Sequence, residues 1–398
     1  MLAVYLAPLY ILACIYIIRW LILWLSACHG IFKKKGCRAA IIILYTLCAL
    51  SIPAGFLLGS GPAGRWVNQA ANLWFGALAY ILLVLITVDI IRLILGHMKR
   101  VDPRWVKSRK SFVRAGAVCL CVIGLISVWG YINARVIRVT PYDVVIHKDG
   151  GNLDELNIVL AADLHLGYNI GCSQMEQMVE KINAQDPDLV VIAGDIFDNN
   201  FDALEDSRRL AEILQGIQST YGVYACYGNH DVDEPILAGF TFPSDKKKES
   251  DPRMDAFLET AGITLLQDEG ILIQDSIYLF GRADKERPGR GIQERMTPEQ
   301  ITKSMDPTNP IIVIDHEPRE LDELAAAGVD LDLAGHTHDG QMFPANILMK
   351  FLWENPCGYL KKDQMHSIVT SGAGLFGPNM RVGTKAEICV VDIHFAGE

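Results

Sequence analysis

The chain has 398 residues, enough for two or more domains, and a formal net charge of −10. Its 51% hydrophobic content and mean hydropathy of +0.22 exclude an ordinary soluble protein. Residues 1–150 hold 17 Lys/Arg against 4 Asp/Glu, whereas residues 151–398 hold 19 against 42, so a basic apolar part leads into an acidic soluble one. The acidic part excludes nucleic acid as a partner, because phosphate backbones bind basic surfaces.

Four apolar runs open the chain, at about 2–27, 39–58, 70–96 and 112–132. Each meets or nears the length of about 20 residues needed to cross a bilayer. No basic residue precedes Arg19, which argues for a first membrane helix rather than a signal peptide. Trp20, Trp24, Trp74, Trp129 and Tyr131 lie toward run ends, where interfacial aromatics collect. Lys33, Lys34, Lys35 and Arg38 fill the first loop, and seven basic residues from Lys99 to Arg114 fill the third, while the second holds only Arg65. The positive-inside bias then sets the amino terminus outside a cell membrane and delivers the soluble part to the extracytoplasmic side. Asp89 inside the third run, with Arg92 one turn on, is expected to form an i,i+3 ion pair.

These features predict a four-helix transmembrane region over 1–132, a linker over 133–155 marked by Pro141, Gly150 and Gly151, and a soluble domain over 156–398. From Leu156 onward strand-like and helix-like runs alternate, which is an α/β pattern. Strands are predicted at 156–162, 189–193, 222–226, 262–266, 271–274, 277–281, 310–314, 331–334, 367–370 and 386–394. Helices are predicted at 173–184, about 203–217 and 254–261, with a short one after 314. Cys172, Cys226, Cys357 and Cys389 include no CxxC pair, so a zinc–thiolate site is disfavoured.

The chemistry lies at five strand ends. Asp163-Leu164-His165 closes the first strand, and Gly194-Asp195, with Asp198 three residues on, closes the second. Gly228-Asn229-His230-Asp231 follows the third, His316 follows 311–315, and Gly335-His336-Thr337-His338 follows 331–334. Open α/β sheets place ligands at the carboxyl ends of their strands. Carboxylate, imidazole and amide oxygen together suit divalent metals. Two such ions about 3.5–4 Å apart can share a carboxylate and a hydroxide aimed at phosphorus in line with a leaving oxygen.

In this order the motifs resemble the calcineurin-like metallophosphoesterase superfamily over residues of about 155–395. The resemblance implies a four-layer α-β-β-α sandwich of two mixed sheets and a metal-dependent phosphoric ester hydrolase. It also implies two ions, of Mn, Fe or Zn. Asp163, His165 and His338 would hold one, Asn229, His316 and His336 the other, and Asp195 would bridge them. His230 would protonate or stabilise the leaving oxygen, Asp231 would orient His230, and Asp198 would support its loop. Asp163–Gly167 and Gly335–Gln341 are more closely similar to membrane-associated bacterial members, some of which act on UDP-diacylglucosamine or similar lipids. Asp339 stands where those relatives usually have glycine.

Outside the motifs, Lys246–Lys248 and the series Arg282, Lys285, Arg287, Arg290 and Arg295 are basic islands that would clamp a second phosphate or lie solvated. The apolar cluster Ile347, Leu348, Met349, Phe351, Leu352 and Trp353 reads as a membrane-resting lip or as core. Asn379 and Arg381 follow a glycine-rich turn and are further candidates to line the site. The function expected is hydrolysis of a phosphoester or pyrophosphate bond, with a lipid-linked or other phosphorylated substrate at the outer membrane surface. The alternatives are a non-catalytic metal- or phosphate-binding sensor, or a transporter or sensor whose function lies in the helices.

Overall fold

The computed structural model describes residues 2–59, 61–233, 236–237, 240–241 and 249–397, which form two compact units. One is built on the first 132 residues. Its long helices are α1 (Leu2–Cys28), α2 (Lys35–Leu58), α3 (Pro62–His97) and α5 (Arg109–Asn133), with a single turn, α4 (Pro103–Val106), before the last. Among the described residues these four long helices are long and apolar enough to cross a membrane. Ile17, Trp20, Leu78, Leu85, Cys119 and Ile123 form their common core. Trp20 is therefore a packing residue, set edge-on to Phe112 at 5.7 Å, whereas Trp129 is exposed. Asp89 accepts the Tyr16 hydroxyl at 2.8 Å, while Arg92 donates to the Val106 carbonyl at 3.1 Å. The expected Asp89–Arg92 pair does not form, because each side chain has turned to a neighbouring helix or loop. Lys246–Lys248 lie outside the described residues.

The second unit begins at Asn133. Its first sheet contains β1 (Ile137–Ile146), β2 (Glu155–Ala161), β3 (Leu189–Ala193), β4 (Val223–Cys226), β7 (Ile263–Leu265) and β14 (Ala386–Phe395), in the order β1-β14-β2-β3-β4-β7. The two-residue strands β5 (Ile236–Leu237) and β6 (Phe240–Thr241) group instead with the first unit and pair with each other. The second sheet contains β8 (Glu269–Ile273), β9 (Ile277–Gly281), β10 (Ile311–Ile314), β11 (Leu331–Ala334), β12 (Gly358–Lys362) and β13 (Met365–Val369), in the order β12-β13-β11-β10-β9-β8. Both sheets are mixed: β2-β3-β4-β7 and β13-β11-β10-β9 run parallel, while β14 against β2, β12 against β13 and β8 against β9 run antiparallel.

The pleat decides what each strand residue packs against, since alternate side chains point to opposite faces. Ile158, Leu160, Leu189 and Val191 meet Leu279, Ile312, Ile314 and Leu333 of the other sheet in a central core. Val159, Ala161, Val190 and Ile192 turn outward to α6 (Cys172–Asn183), α7 (Ser207–Leu214) and α8 (Pro252–Thr260). Beyond the second sheet, Phe280, Ile311 and Val313 pack on α9 (Pro298–Thr302) and α10 (Leu321–Ala326). The result is the four-layer sandwich. Each aliphatic side chain fully buried in it contributes about 1.5–3 kcal/mol.

The linker expected over 133–155 contains a ten-residue strand: β1 pairs in parallel with β14 along its whole length. Its signal is weak because Pro141 and charged Arg138 and Asp143 interrupt it, features tolerated on a sheet edge. β12 and α11 (Ala345–Leu352) are further elements with no counterpart in the sequence reading.

Candidate metal centre

Strands β2, β3, β4, β10 and β11 run parallel within their sheets and end at the motif residues, so five loop tips converge. Backbone bonds fix the first two loops side by side: Asp163 N–H donates to Gly194 O at 3.0 Å and His165 N–H to Asp195 O at 2.9 Å. Five of the seven expected ligands, Asp163, His165, Asp195, His336 and His338, have φ between 44° and 72°. Such backbone costs non-glycine residues of the order of 1–3 kcal/mol each and collects at functional sites. Gly228 is required by close approach, since a Cβ there would sit 2.4 Å from Asp195 Oδ1.

Among the described residues three groups of side chains bring ligand atoms within 4.8 Å of one another: Asp163, His165 and His338; Asp195, His316 and His336; and His165, Asp198 and His230. Asn229 joins the second group, its Oδ1 lying 3.1 Å from His316 Nε2 and 3.0 Å from His336 Nδ1. Asp195 links the first two. The His230 backbone N–H donates to its Oδ1 at 2.7 Å, which leaves Oδ2 at 3.6 Å from His165 Nε2 and 3.2 Å from His316 Nε2. The structure thus brings together all seven expected ligands.

These donors fit cations. His165 Nε2 faces His338 Nε2 at 3.0 Å, and His316 Nε2 faces His336 Nδ1 at 3.2 Å, so a proton or a metal ion must separate each pair of lone pairs. His316 Nδ1 lies 2.9 Å from the Ala193 carbonyl, so a proton held there leaves Nε2, directed at the cluster, as the nitrogen a cation would take once it displaces that atom's proton. Burial drives Asp163 up to about 6. Burial acts likewise on Asp195, but the imidazoles of His316 and His230 outweigh it and hold that carboxyl well below the usual range. Burial opposes charge on His165 and His316, yet facing carboxylates raise both, whereas burial takes His336 down to about 3 and His338 well below its ordinary value. A divalent ion would replace the protons held here, so its affinity rises with pH.

Two carboxylates are placed otherwise than expected. Asp231 is fully buried and accepts the Phe197 N–H at 2.8 Å and the Gly228 N–H at 2.7 Å, so it ties two loops together. Asp198 instead points its Oδ1 at His165 Nδ1, 3.5 Å away, and at His230 Nδ1, 3.8 Å away. The basic series divides as well. Arg282 and Arg295 are buried in ion pairs with Asp315 and Glu320, bracing the end of β10 just before His316. Lys285 pairs with Glu320 and Arg290 with Asp255. Arg287 alone in that series reaches the cluster, donating to the Asn229 carbonyl at 2.8 Å. Asn379 groups with the helical unit. Arg381 is fully buried, with Nη2 2.6 Å from Ser371 O and 3.1 Å from His338 Nδ1.

Several neighbours were not legible beforehand. Phe376 packs on His230 with ring centroids 4.9 Å apart, Trp353 packs on His336 at 5.1 Å, and Glu317 Oε1 lies 3.5 Å from His336 Nε2. Glu317 directly follows a ligand and Phe376 closes the glycine-rich turn, which are the only signals the sequence offers for them. Asp339, in place of the usual glycine, takes φ of 50° and leaves His338 within its group.

Residues 156–340 match the calcineurin-like phosphoesterase family model. A metallophosphoesterase of Helicobacter pylori strain J99 is 30% identical over 290 residues, covering 71% of this chain and 70% of the relative. A zebrafish transmembrane protein with metallophosphoesterase domain is 29% identical over 69% of this chain, which spans only 62% of that relative's length. A UDP-2,3-diacylglucosamine pyrophosphatase of Chlamydia trachomatis is 24% identical over 54% of this chain and 73% of its own. The chain belongs to the calcineurin-like phosphoesterase family. It is a membrane-associated member whose α/β unit is a metallophosphoesterase domain.

Proposed function

We propose that the α/β unit hydrolyses a phosphoester or pyrophosphate bond of a lipid-linked substrate at the outer surface of the membrane. The observation that carries the reading is Asp195 Oδ2, set between an imidazole of each donor group. Asp163, His165 and His338 would hold one divalent ion, Asn229, His316 and His336 a second, with Asp195 common to both. Divalent ions there would supply Lewis acidity and lower the pKa of a bound water. The protein's own part is proton handling and exclusion of water. His230 is packed against Phe376 and faced by Asp198, and burial takes its imidazole down to about 4. At that value the ring is neutral near pH 7, so it would carry a proton to the leaving oxygen only once the phosphate's negative charge has raised it again. Arg287, beside Asn229, offers a cation to the phosphate.

Support for a lipid-linked substrate comes from α11, which begins seven residues after His338. Leu348, Phe351 and Leu352 are 58%, 82% and 70% exposed, and no residue of the helix is buried. An apolar helix face of this kind suits the acyl region of a bilayer. The diacylglucosamine pyrophosphatase relative points the same way. The basic loops favour an extracytoplasmic position for this unit, and protection of it from added protease in intact cells would refute that. The reaction is tested with the purified full chain, reloaded with Mn, Fe or Zn, on a UDP-diacylglucosamine lipid and on a water-soluble aryl phosphodiester. Turnover of both, abolished in Asn229→Ala, is expected. Metal uptake without turnover of either would identify a binding module instead.

A further inference from the structure

The helical unit holds a cavity of about 600 Å³. Four cations, Arg19, Arg92, Lys107 and Arg109, line it with a single carboxylate, Asp89. That carboxylate is engaged by the Tyr16 hydroxyl at 2.8 Å and pairs with none of the four. Arg92 is satisfied by the Val106 carbonyl and lies over the Phe112 ring at 4.9 Å, and Arg109 donates to the Ala27 carbonyl at 2.6 Å. Among the described residues Arg19 and Lys107 have no side-chain partner. Arg19 lies nine residues before the end of α1, so at 1.5 Å per residue its Cα is about 13 Å inside a helix apolar enough to span a bilayer. A cation at such depth costs about 2.5 kcal/mol or more unless a counter-charge or water accompanies it, and it marks a ligand site by default.

We propose that this cavity binds the phosphate group of an anionic phospholipid. The guanidinium forks of Arg19 and Arg92 suit phosphate oxygens, Lys107 adds a point charge, and the walls contributed by Trp20 and Phe112 suit glycerol and acyl carbons. The excess of cations, with the one acid already hydrogen-bonded, selects an anion over a zwitterion or a cation. Lipid is favoured over the free anion because the site is cut into apolar membrane-spanning helices. This site is separate from the proposed hydrolysis, and its test does not depend on it.

The test titrates the full chain, in neutral detergent, with dioctanoyl phosphatidylglycerol, dioctanoyl phosphatidylcholine and inorganic phosphate, reading bound species by native mass spectrometry. Saturable binding of phosphatidylglycerol over phosphatidylcholine is expected. It should weaken about fivefold in Arg19→Gln and about thirtyfold when Lys107→Gln is added, at roughly one charge contact each. Asp89→Asn keeps an acceptor for Tyr16, removes the opposing charge and should tighten binding; a merely misfolded variant would loosen it. Competition by inorganic phosphate with the same dependence on Arg19 would overturn the lipid assignment in favour of the free anion. Equal binding of the two lipids, or phosphatidylglycerol binding unchanged in the double variant, would overturn the site itself.

Discussion

Replacing Asp198 and Asp231 one at a time by asparagine separates a carboxylate that acts on an imidazole from one that holds the backbone. Asp198 Oδ1 lies 3.8 Å from His230 Nδ1. At an effective dielectric of about 20, a charge pair at that distance interacts by about 4 kcal/mol. A fifth of the Asp198 side chain is exposed, and solvent screening reduces this to about 1–3 kcal/mol. Asp198→Asn should therefore lower kcat on an aryl phosphodiester roughly 10–100-fold with the melting temperature almost unchanged. Its carboxylate favours the imidazolium, so removing it lowers the His230 pKa further, and a reaction needing protonated His230 fails from a lower pH. Asp231→Asn is different. The carboxylate accepts two backbone N–H groups, and an amide can accept only one without turning its own N–H₂ against the other. The loss of a charge-assisted bond and an orphaned donor in a fully buried site should cost about 2–4 kcal/mol of stability. An Asp231→Asn variant that keeps its melting temperature while losing turnover, beside an Asp198→Asn variant that turns over normally, would refute both assignments.

Three further outcomes are expected. Gly228→Ala places a methyl 2.4 Å from Asp195 Oδ1 and should reduce bound metal, measured by elemental analysis, with a stability loss of about 1–3 kcal/mol. Burial alone would raise Glu320, but hydrogen bonds from Lys285 and Arg282 and the nearby charge of Arg295 bring it down to about 2. Its folded value is depressed, so its stabilisation is complete above the unfolded value of about 4.3 and is lost as pH falls toward about 2; Glu320→Gln should flatten the fall in melting temperature between those values. Chelation should lower the melting temperature of the metal-loaded chain, and lower it less in His316→Ala, because only the folded donor set binds the ion.

Legibility along the chain followed from how much each signal depended on distant residues. β3 and β10 were readable because an uninterrupted apolar run buried on both faces can be little else in so short a span. β1 was not, since its place beside β14 is settled by a partner some 250 residues away and its edge position admits Pro141. The apolar cluster at 347–353 left core and surface equally open, and the structure shows an exposed helix. Arg282 and Arg295 looked like loop cations because nothing nearby in sequence announces Asp315 and Glu320 as their partners.

What the sequence by itself determined was the identity and order of the donors, each following an apolar run, because a parallel strand must end at the edge where ligands gather and the residue types there state the chemistry. Only the tertiary structure decided which atoms those donors present. Asp198 and Asp231 are both aspartates in motif loops, yet one turns to an imidazole and the other to two backbone N–H groups. That choice depends on how separate loops pack against each other, which no local run of residues encodes.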